Sequence, residues 1–207
     1  MDKVKFYRIL AIFAVLVAFC SCAYSQDQTF RAYAQAGFNT NQISGDSTTG
    51  FNYWGFRGGV GAYVMLSKRI STNMEINYTM RGASGEVFDE FRAFMYHRTI
   101  HTNYIEMPIM VNYHDGNVAR FGGGLVLSNL MDNTSWYNMK SDRSESVQNL
   151  FKQIDLGFVL SVAFDIKKHF GFNMRMNQSI LPFNKRRNNT EENMYHTNLS
   201  ASLMYYF

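Results

Sequence analysis

Charged residues recur at alternate positions in several segments of this 207-residue chain. The set that could do chemistry comprises Arg31, Arg57, Glu75, Arg81, Glu106, Arg120, Asp155, Asp165 and Arg175. Its five arginines and four carboxylates could form a nearly neutral group of ion pairs. Two interpretations are open: a solid polar plug that satisfies its own hydrogen bonds, or a gated path for protons or ions through rearranging pairs. Closely paired buried charges are the structural default, which favours the plug.

The histidines are the other residues with possible chemistry. A serine hydrolase site on a strand needs a histidine and a serine on one face, with a carboxylate nearby. No His-x-Ser sequence occurs, and His196 and Ser200 would lie roughly 13 Å apart along a strand. His97 and His101 could bind a metal only if the segment around them formed a helical turn and a third ligand joined them. We therefore predict no enzyme, no catalytic residue, no cofactor and no metal.

The segments that carry these residues alternate apolar and polar side chains with a period of two. That period is typical of strands and fits no helix. The eight segments run approximately over Phe30–Asn39, Trp54–Leu66, Ile70–Arg81, Asn103–Tyr113, Val118–Ser128, Ile154–Ile166, Phe170–Ile180 and Leu199–Phe207. The charged set falls on the opposite parity from the apolar side chains. A lipid-facing arginine or lysine would cost about 2–4 kcal/mol at mid-membrane, so this parity indicates an interior face.

The connections alternate between short and long. Short polar links join segments two and three, four and five, and six and seven. The long polar links cover approximately Thr40–Tyr53, Gly82–Thr102, Asn129–Leu150 and Pro182–Met194. Short periplasmic turns against long extracellular loops are typical of outer-membrane barrels. We predict an all-β fold: an eight-stranded antiparallel up-and-down transmembrane barrel with both termini in the periplasm.

The N-terminus predicts export. Basic residues precede an apolar run from Ile9 to Cys20, which is too short to span a bilayer as a helix. Ala23-Tyr24-Ser25 fits a signal cleavage site, so we predict a signal peptide at 1–25 and a barrel domain at 26–207. Acylation of Cys22 as a lipoprotein is the alternative. Both cysteines lie in this region, so no disulfide is expected in the mature chain.

The C-terminus predicts a membrane strand. Leu199 to Phe207 alternates strictly and ends on an aromatic residue. Outer-membrane barrels place aromatic residues at the membrane–water boundary. We interpret Leu203, Tyr205 and Phe207 as a C-terminal insertion signal that the barrel-assembly machinery reads.

Several stretches carry a resemblance to the PorT-like outer-membrane β-barrel family of Gram-negative bacteria. They are Gly55–Tyr63, Glu75–Gly82, Tyr104–Met110, Phe121–Leu125, Asp155–Phe158 and Tyr205–Phe207. The tyrosine-x-glutamate-x-proline stretch within the third is the most specific. The resemblance implies an eight-stranded barrel. It implies little about activity, although the namesake of the family takes part in the secretion and maturation of surface proteins.

These patterns together predict a non-enzymatic outer-membrane protein with a structural or surface-binding role. The alternatives are a membrane component of a secretion machinery, a narrow pore, and a lipid A-modifying enzyme. The expected partners are outer-membrane lipids and lipopolysaccharide, the barrel-assembly machinery, and secretion or envelope proteins in the secretion alternative. Lys185-Arg186-Arg187 could bind lipopolysaccharide phosphates or be an ordinary solvated loop. The mature chain has 17 basic and 15 acidic residues, a balance that argues against nucleic acid.

Overall fold

The computed structural model describes residues 30–45, 50–89, 94–116, 118–138, 142–145, 151–184 and 193–207. The predicted signal peptide and the basic cluster at 185–187 lie outside these residues. The described chain forms nine strands: β1 (Phe30–Ser44), β2 (Tyr53–Met65), β3 (Ile70–Asp89), β4 (Phe94–Asp115), β5 (Ala119–Asn138), β6 (Asp142–Glu145), β7 (Ile154–Lys167), β8 (Phe170–Ser179) and β9 (Tyr195–Tyr206). Within it, no helix is long and apolar enough to cross a membrane.

Eight of these strands close into an antiparallel barrel. The hydrogen-bonded order runs β1, β2, β3, β4, β5, β7, β8 and β9, and β9 pairs back with β1. The short strand β6 pairs only with the outer end of β5 and takes no part in closure. Closure leaves the barrel wall without a sheet edge, which a bilayer requires because lipid cannot satisfy backbone groups. The predicted eight-stranded barrel is confirmed.

The wall shows the alternation that the sequence predicts. On β9, Leu203 is 63% exposed and its neighbour Ser202 is 4% exposed. The same inversion recurs on β8, where the apolar side chains face outward and the polar ones inward. On β7 the apolar side chains such as Leu160 also face outward, while the inward set contains both polar residues and the apolar Val159 and Ala163. Since burial of polar side chains inside an apolar shell is the arrangement of a membrane barrel, the outer face is the one built to meet lipid.

The short connections are tight turns. Their described residues are 66–69, 116 and 118, and 168–169, between β2 and β3, β4 and β5, and β7 and β8. Gly116 has φ +63°, a left-handed conformation that glycine adopts without steric cost. These turns mark the periplasmic end of the barrel.

Three long connections contain more strand than the sequence indicates. β3 continues to Asp89 and β4 begins at Phe94, so most of the segment from Gly82 to Thr102 is paired backbone. β1 likewise continues to Ser44, and β5 continues to Asn138. The alternation of hydropathy stops where a strand no longer has lipid on one side. The backbone ladder continues beyond that point, so hydropathy alone could not locate these strand ends.

Candidate functional site

The barrel interior holds two buried ion networks, of which the first crosses the barrel from β2 to β7. Arg57 donates to Glu106 at 2.7 Å and Arg81 donates to the same carboxylate at 2.5 Å. Arg81 also pairs with Asp155 at 2.9 Å and donates to Ser128 at 3.0 Å. The four charged side chains are at most 3% exposed. Arg81 is therefore the link between two carboxylates on β4 and β7, which are separated in the wall by β5.

Glu75 is the centre of the second network. Arg175, across the barrel on β8, binds both oxygens of Glu75 at 2.5 and 2.6 Å. The other donors to this carboxylate are Tyr33, Gln35 at 2.7 Å, and Asn73 and Asn77 at 2.9 Å each. A buried ion pair offsets its desolvation only when the remaining lone pairs are also hydrogen-bonded. Here six hydrogen bonds satisfy one carboxylate, as a rigid structural network requires.

The remaining members of the charged set lie towards the periplasmic mouth. Arg120 pairs with Asp165 at 3.0 Å and also donates to the hydroxyl of Tyr206. Asp165 is partly exposed, with 29% of its side chain accessible. The guanidinium of Arg31 lies 5.9 Å from the ring centroid of Tyr206. Arg31 makes no ion pair with any residue that the structure describes, so it stands apart from the interior pairs expected for the set.

Apolar clusters cover both ends of these networks. At the extracellular end, Ile43, Ala83, Ile100, Phe151 and Phe183 pack together. At the periplasmic end, the cluster comprises Tyr33, Tyr63, Ala163, Met204 and Tyr206. The interior cavity between Tyr33, Met110 and Arg175 has a volume of about 10 Å³, which is room for roughly one water molecule. The interior is therefore filled by side chains.

Sequence reasoning missed the extracellular cover, which we call the cap (Ile43, Ala83, Ile100, Phe151 and Phe183). Phe151 and Phe183 belong to polar connections, but their rings lie 5.2 Å apart, and Phe183 stacks on His196 at 3.9 Å. The bridge between Phe151 and Asn184 holds the two connections together. The sequence signal for the cap was a phenylalanine in an otherwise polar connection. The local pattern could not show that Phe151 contacts Phe183, which lies 32 positions farther along the chain.

The described histidines include one that contacts a serine: the imidazole of His114 lies 2.7 Å from the hydroxyl of Ser71. No described carboxylate is hydrogen-bonded to that imidazole. His97 and His101 lie on β4, four positions apart along an extended strand, so the helical turn that a metal site would need does not form. His97 contacts Ser84 at 3.0 Å, and His101 contacts Tyr53. No group of three or more metal-ligating side chains occurs in the described part of the chain. His196 is buried beside Tyr104 and Phe183, both aromatic.

The residues of the predicted insertion signal lie on the outer face. Leu203 and Tyr205 point outward from β9, and Phe207 follows its last residue. The rings of Tyr205 and Phe207 pack edge to face at 5.5 Å. The backbone N–H of Phe207 donates to Ala32 on β1 at 3.1 Å, so the chain end takes part in closing the barrel.

Comparison with known proteins agrees with this geometry. A family model described as "Outer membrane protein beta-barrel domain" matches residues 24–184. The chain belongs to this family. The family and its solved relatives place the barrel in a bacterial outer membrane. Among curated proteins, none matches the sequence significantly.

Solved eight-stranded outer-membrane barrels have the same fold. Ail, the attachment invasion locus protein of Yersinia pestis, is 11% identical with a TM-score of 0.52, and the match covers 86% of this chain and 98% of Ail. Ail in complex with the heparin analogue sucrose octasulfate gives 9% identity, a TM-score of 0.51, and coverage of 86% and 99%. Neisserial surface protein A gives 14% identity, a TM-score of 0.50, and coverage of 88% and 100%. At these identities the likeness shows the fold.

Proposed function

We propose that this outer-membrane barrel is a non-enzymatic surface-binding protein that captures an extended polypeptide. The filled barrel acts as the membrane anchor in this proposal. The binding surface is what we call the outer sheet: residues 82–89 of β3, 94–102 of β4, 130–138 of β5, and β6. The observation that carries the proposal is the continuation of the backbone ladder beyond the span that a membrane requires.

The strand lengths support this division. A tilted membrane strand needs about 9–11 residues. β8 and β9 have 10 and 12 residues, whereas β3, β4 and β5 have 20, 22 and 20. The excess is about ten residues per strand, or roughly 30 Å of length. It lies at the end opposite the short turns, which places the outer sheet outside the cell in this proposal.

The outer sheet is one continuous unit of backbone pairing. The β3–β4 register runs from Asn77 opposite Glu106 to Asp89 opposite Phe94. β5 pairs with β4 as far as Asn138 opposite His97, and β6 then adds a fourth strand. In the described chain, the far side of β6 and the outer part of β3 pair with no further strand. Such edges present free N–H and C=O groups that can accept a strand from a partner.

The interior supports an anchor and favours neither a pore nor an enzyme. Side chains fill the interior, and apolar clusters cover its ends. The contact between Ser71 and His114 has no hydrogen-bonded carboxylate among the described residues, so the third member of a deacylase triad is not present there. The resemblance to PorT-like proteins suggests the secretion role instead, but no described contact favours it. Purification of the barrel from membranes with a stoichiometric envelope partner would favour that alternative.

The test uses a trimmed variant in which residues 84–99 are replaced by Asn-Gly, a pair that favours tight hairpins. This change keeps Ala83 and Ile100, which belong to the cap. A library of displayed peptides is selected against the detergent-solubilised full chain, and the binders are then measured on both proteins. We expect the selected peptides to bind the trimmed barrel at least about tenfold more weakly, a difference of about 1.4 kcal/mol.

The control replaces Ser67 and Lys68, in a periplasmic turn, and should leave binding unchanged. Equal affinity for the full and trimmed barrels, with folding verified by heat-modifiable gel mobility, would contradict the proposal. Heparin-coated beads form a separate arm, since the structure of Ail holds a heparin analogue. Retention of the trimmed barrel on these beads would point to a sulfated ligand bound elsewhere and would also count against the outer sheet.

A further inference from the structure

We propose that the periplasmic mouth of the barrel is a binding site for a phosphate-bearing ligand. A cavity of about 510 Å³ opens there, at the ends of β1, β2, β4, β7 and β9. It is lined by Arg31, Tyr63, Met65, His114, Gly116, Asp165, Lys167, Lys168 and Tyr206. We call it the vestibule. Its volume lies within the range of roughly 300–1,000 Å³ that small-molecule sites occupy.

The vestibule has an excess of positive charge. Among its described lining residues the one carboxylate is that of Asp165, which accepts hydrogen bonds from Arg120 at 3.0 Å and from the Tyr206 hydroxyl at 2.9 Å. Asp165 is therefore already engaged by a cation from the interior. Arg31, Lys167 and Lys168 form no ion pair with any residue in the described ranges. Three cations around one cavity are available to an anion from the periplasm.

The fold orients Arg31 and brings the two exposed lysines to the same mouth. The guanidinium of Arg31 lies over the Tyr206 ring at 5.9 Å, a distance compatible with a cation–π contact. The β7–β8 pairing shifts register between Asp165 and Lys167. Irregularities of this kind are known to redirect side chains at the rims of barrels. This register shift immediately precedes Lys167 and Lys168, the two lysines that line the vestibule.

The floor of the vestibule is aromatic and closed. Tyr63 and Tyr206 pack edge to face at 6.4 Å, and Tyr33 packs against both of them. Met65 packs against this cluster. A ligand that enters from the periplasm therefore contacts the aromatic rings at the bottom of the vestibule and the three cations around its opening. That arrangement suits binding of an anionic head against an apolar surface, and it does not lead to transit through the barrel.

The number of cations distinguishes phosphate from carboxylate. A carboxylate carries one charge and would leave two of the three cations without a partner. A phosphate ester carries about −1.5 to −2 charges at neutral pH and has three strong acceptor oxygens. Arginine binds phosphate through two parallel hydrogen bonds, and lysine adds point charges. The phosphate could belong to a soluble ester or to a phospholipid headgroup of the inner leaflet.

The experiment measures phosphate binding by the full chain in nanodiscs. Inorganic phosphate and glycerol phosphate are titrated calorimetrically in discs of neutral lipid, with chloride at equal ionic strength as the reference. In a second arm, discs contain phosphatidylglycerol, and native mass spectrometry counts the lipids that the barrel retains. The variants are Arg31→Gln and the pair Lys167→Gln with Lys168→Gln. Lys68→Gln, on a turn that does not line the vestibule, is the charge-matched control.

We expect each vestibule variant to weaken phosphate binding roughly tenfold or more, since each removes at least one charge-assisted hydrogen bond to the phosphate. The Lys68→Gln control should bind as the wild type does. Binding in the first arm identifies a soluble ester as the source, and lipid retention that the vestibule variants lose identifies a headgroup. The proposal is overturned if neither arm shows binding, or if Lys68→Gln loses as much as the vestibule variants.

Discussion

The barrel wall and the outer sheet are built on one continuous ladder but follow different side-chain rules. In the wall, Ile76 on β3 is 52% exposed while its neighbours Glu75 and Asn77 are buried. Farther along the same strand, Glu86 is exposed. From Asn77 to Asp89 the register with β4 continues without a shift, whereas the pairing of β3 with β2 ends at Thr79. Alternating hydropathy therefore depends on whether lipid lies on one side of the strand. The length of the strand depends on backbone hydrogen bonding, which does not need lipid.

The wall should contribute most of the free energy of unfolding, whereas residues of the outer sheet can change with less effect on it and are available for binding. The wall buries its charges as hydrogen-bonded ion pairs, in which some atoms, such as Nε and Nη2 of Arg57, have no hydrogen-bond partner among the described residues. The loss of one member of a buried pair there should be costly. The outer sheet has no such networks among its described residues. Substitutions should therefore have large effects in the interior, intermediate effects on the outer face of the wall, and small effects beyond it.

The largest expected effect is from Arg175→Met. It leaves Glu75 buried without its ion-pair partner, and we expect a loss of about 3–5 kcal/mol in the free energy of unfolding. Equilibrium denaturation of the barrel in lipid vesicles measures this loss. The double variant Glu75→Gln with Arg175→Met removes both charges and keeps an amide oxygen that can accept from the neighbouring buried donors, so it should recover part of the loss. If the double variant were as unstable as the single one, an uncompensated charge would not be the cause.

The next effect tests the outer face of the wall. Ile76→Arg should cost about 2–4 kcal/mol, because it places a charge on the lipid side near mid-membrane. Glu86→Arg is the matched change on the same strand in the outer sheet, and it should alter stability little. The same denaturation assay compares the two variants. Similar losses at both positions would mean that lipid does not distinguish the two parts of β3.

The two arginines of the first network allow a finer comparison. Arg81 pairs with Glu106 and Asp155 and also reaches Ser128, whereas Arg57 has one hydrogen bond, to Glu106. Arg81→Met should therefore be more destabilising than Arg57→Met by at least about 1–3 kcal/mol, because that is the cost of leaving a buried polar group unsatisfied and a charged group such as Asp155 costs more. Denaturation midpoints of the two variants, measured side by side, provide the check. A larger loss of stability from Arg57→Met would show that the additional contacts of Arg81 do not contribute more to stability than the single ion pair of Arg57.

The sequence was sufficient to predict the strands of the wall, but it did not predict the outer sheet or the cap. Alternation predicted the strands and the parity of residues such as Leu203, because lipid imposes a local rule on every second side chain. It did not predict that β3 reaches Asp89, since no such rule operates outside the membrane. Nor could it pair Phe151 with Phe183, because that contact joins two connections whose spacing follows no period. Within the interior, parity placed Glu75 inward, but the choice of Arg175 as its partner depends on the register of strands far apart in the chain.

The smallest effect on stability is expected at the chain end, where the effect on insertion should be the larger one. Phe207 is 71% exposed and lies beyond the last ladder residue, so Phe207→Ser should change the free energy of unfolding by less than about 1 kcal/mol. If Leu203, Tyr205 and Phe207 form a signal for assembly, the same change should lower the amount of barrel recovered from outer membranes.

Phe170→Ser is the matched control, because Phe170 is an exposed aromatic residue at the same end of the barrel and packs on Tyr205 at 5.3 Å. Quantitative blotting of membrane fractions separates the two roles. An equal loss of yield from both variants would assign Phe207 to the boundary aromatics of the wall, and a loss confined to Phe207→Ser would assign it to recognition of the final strand.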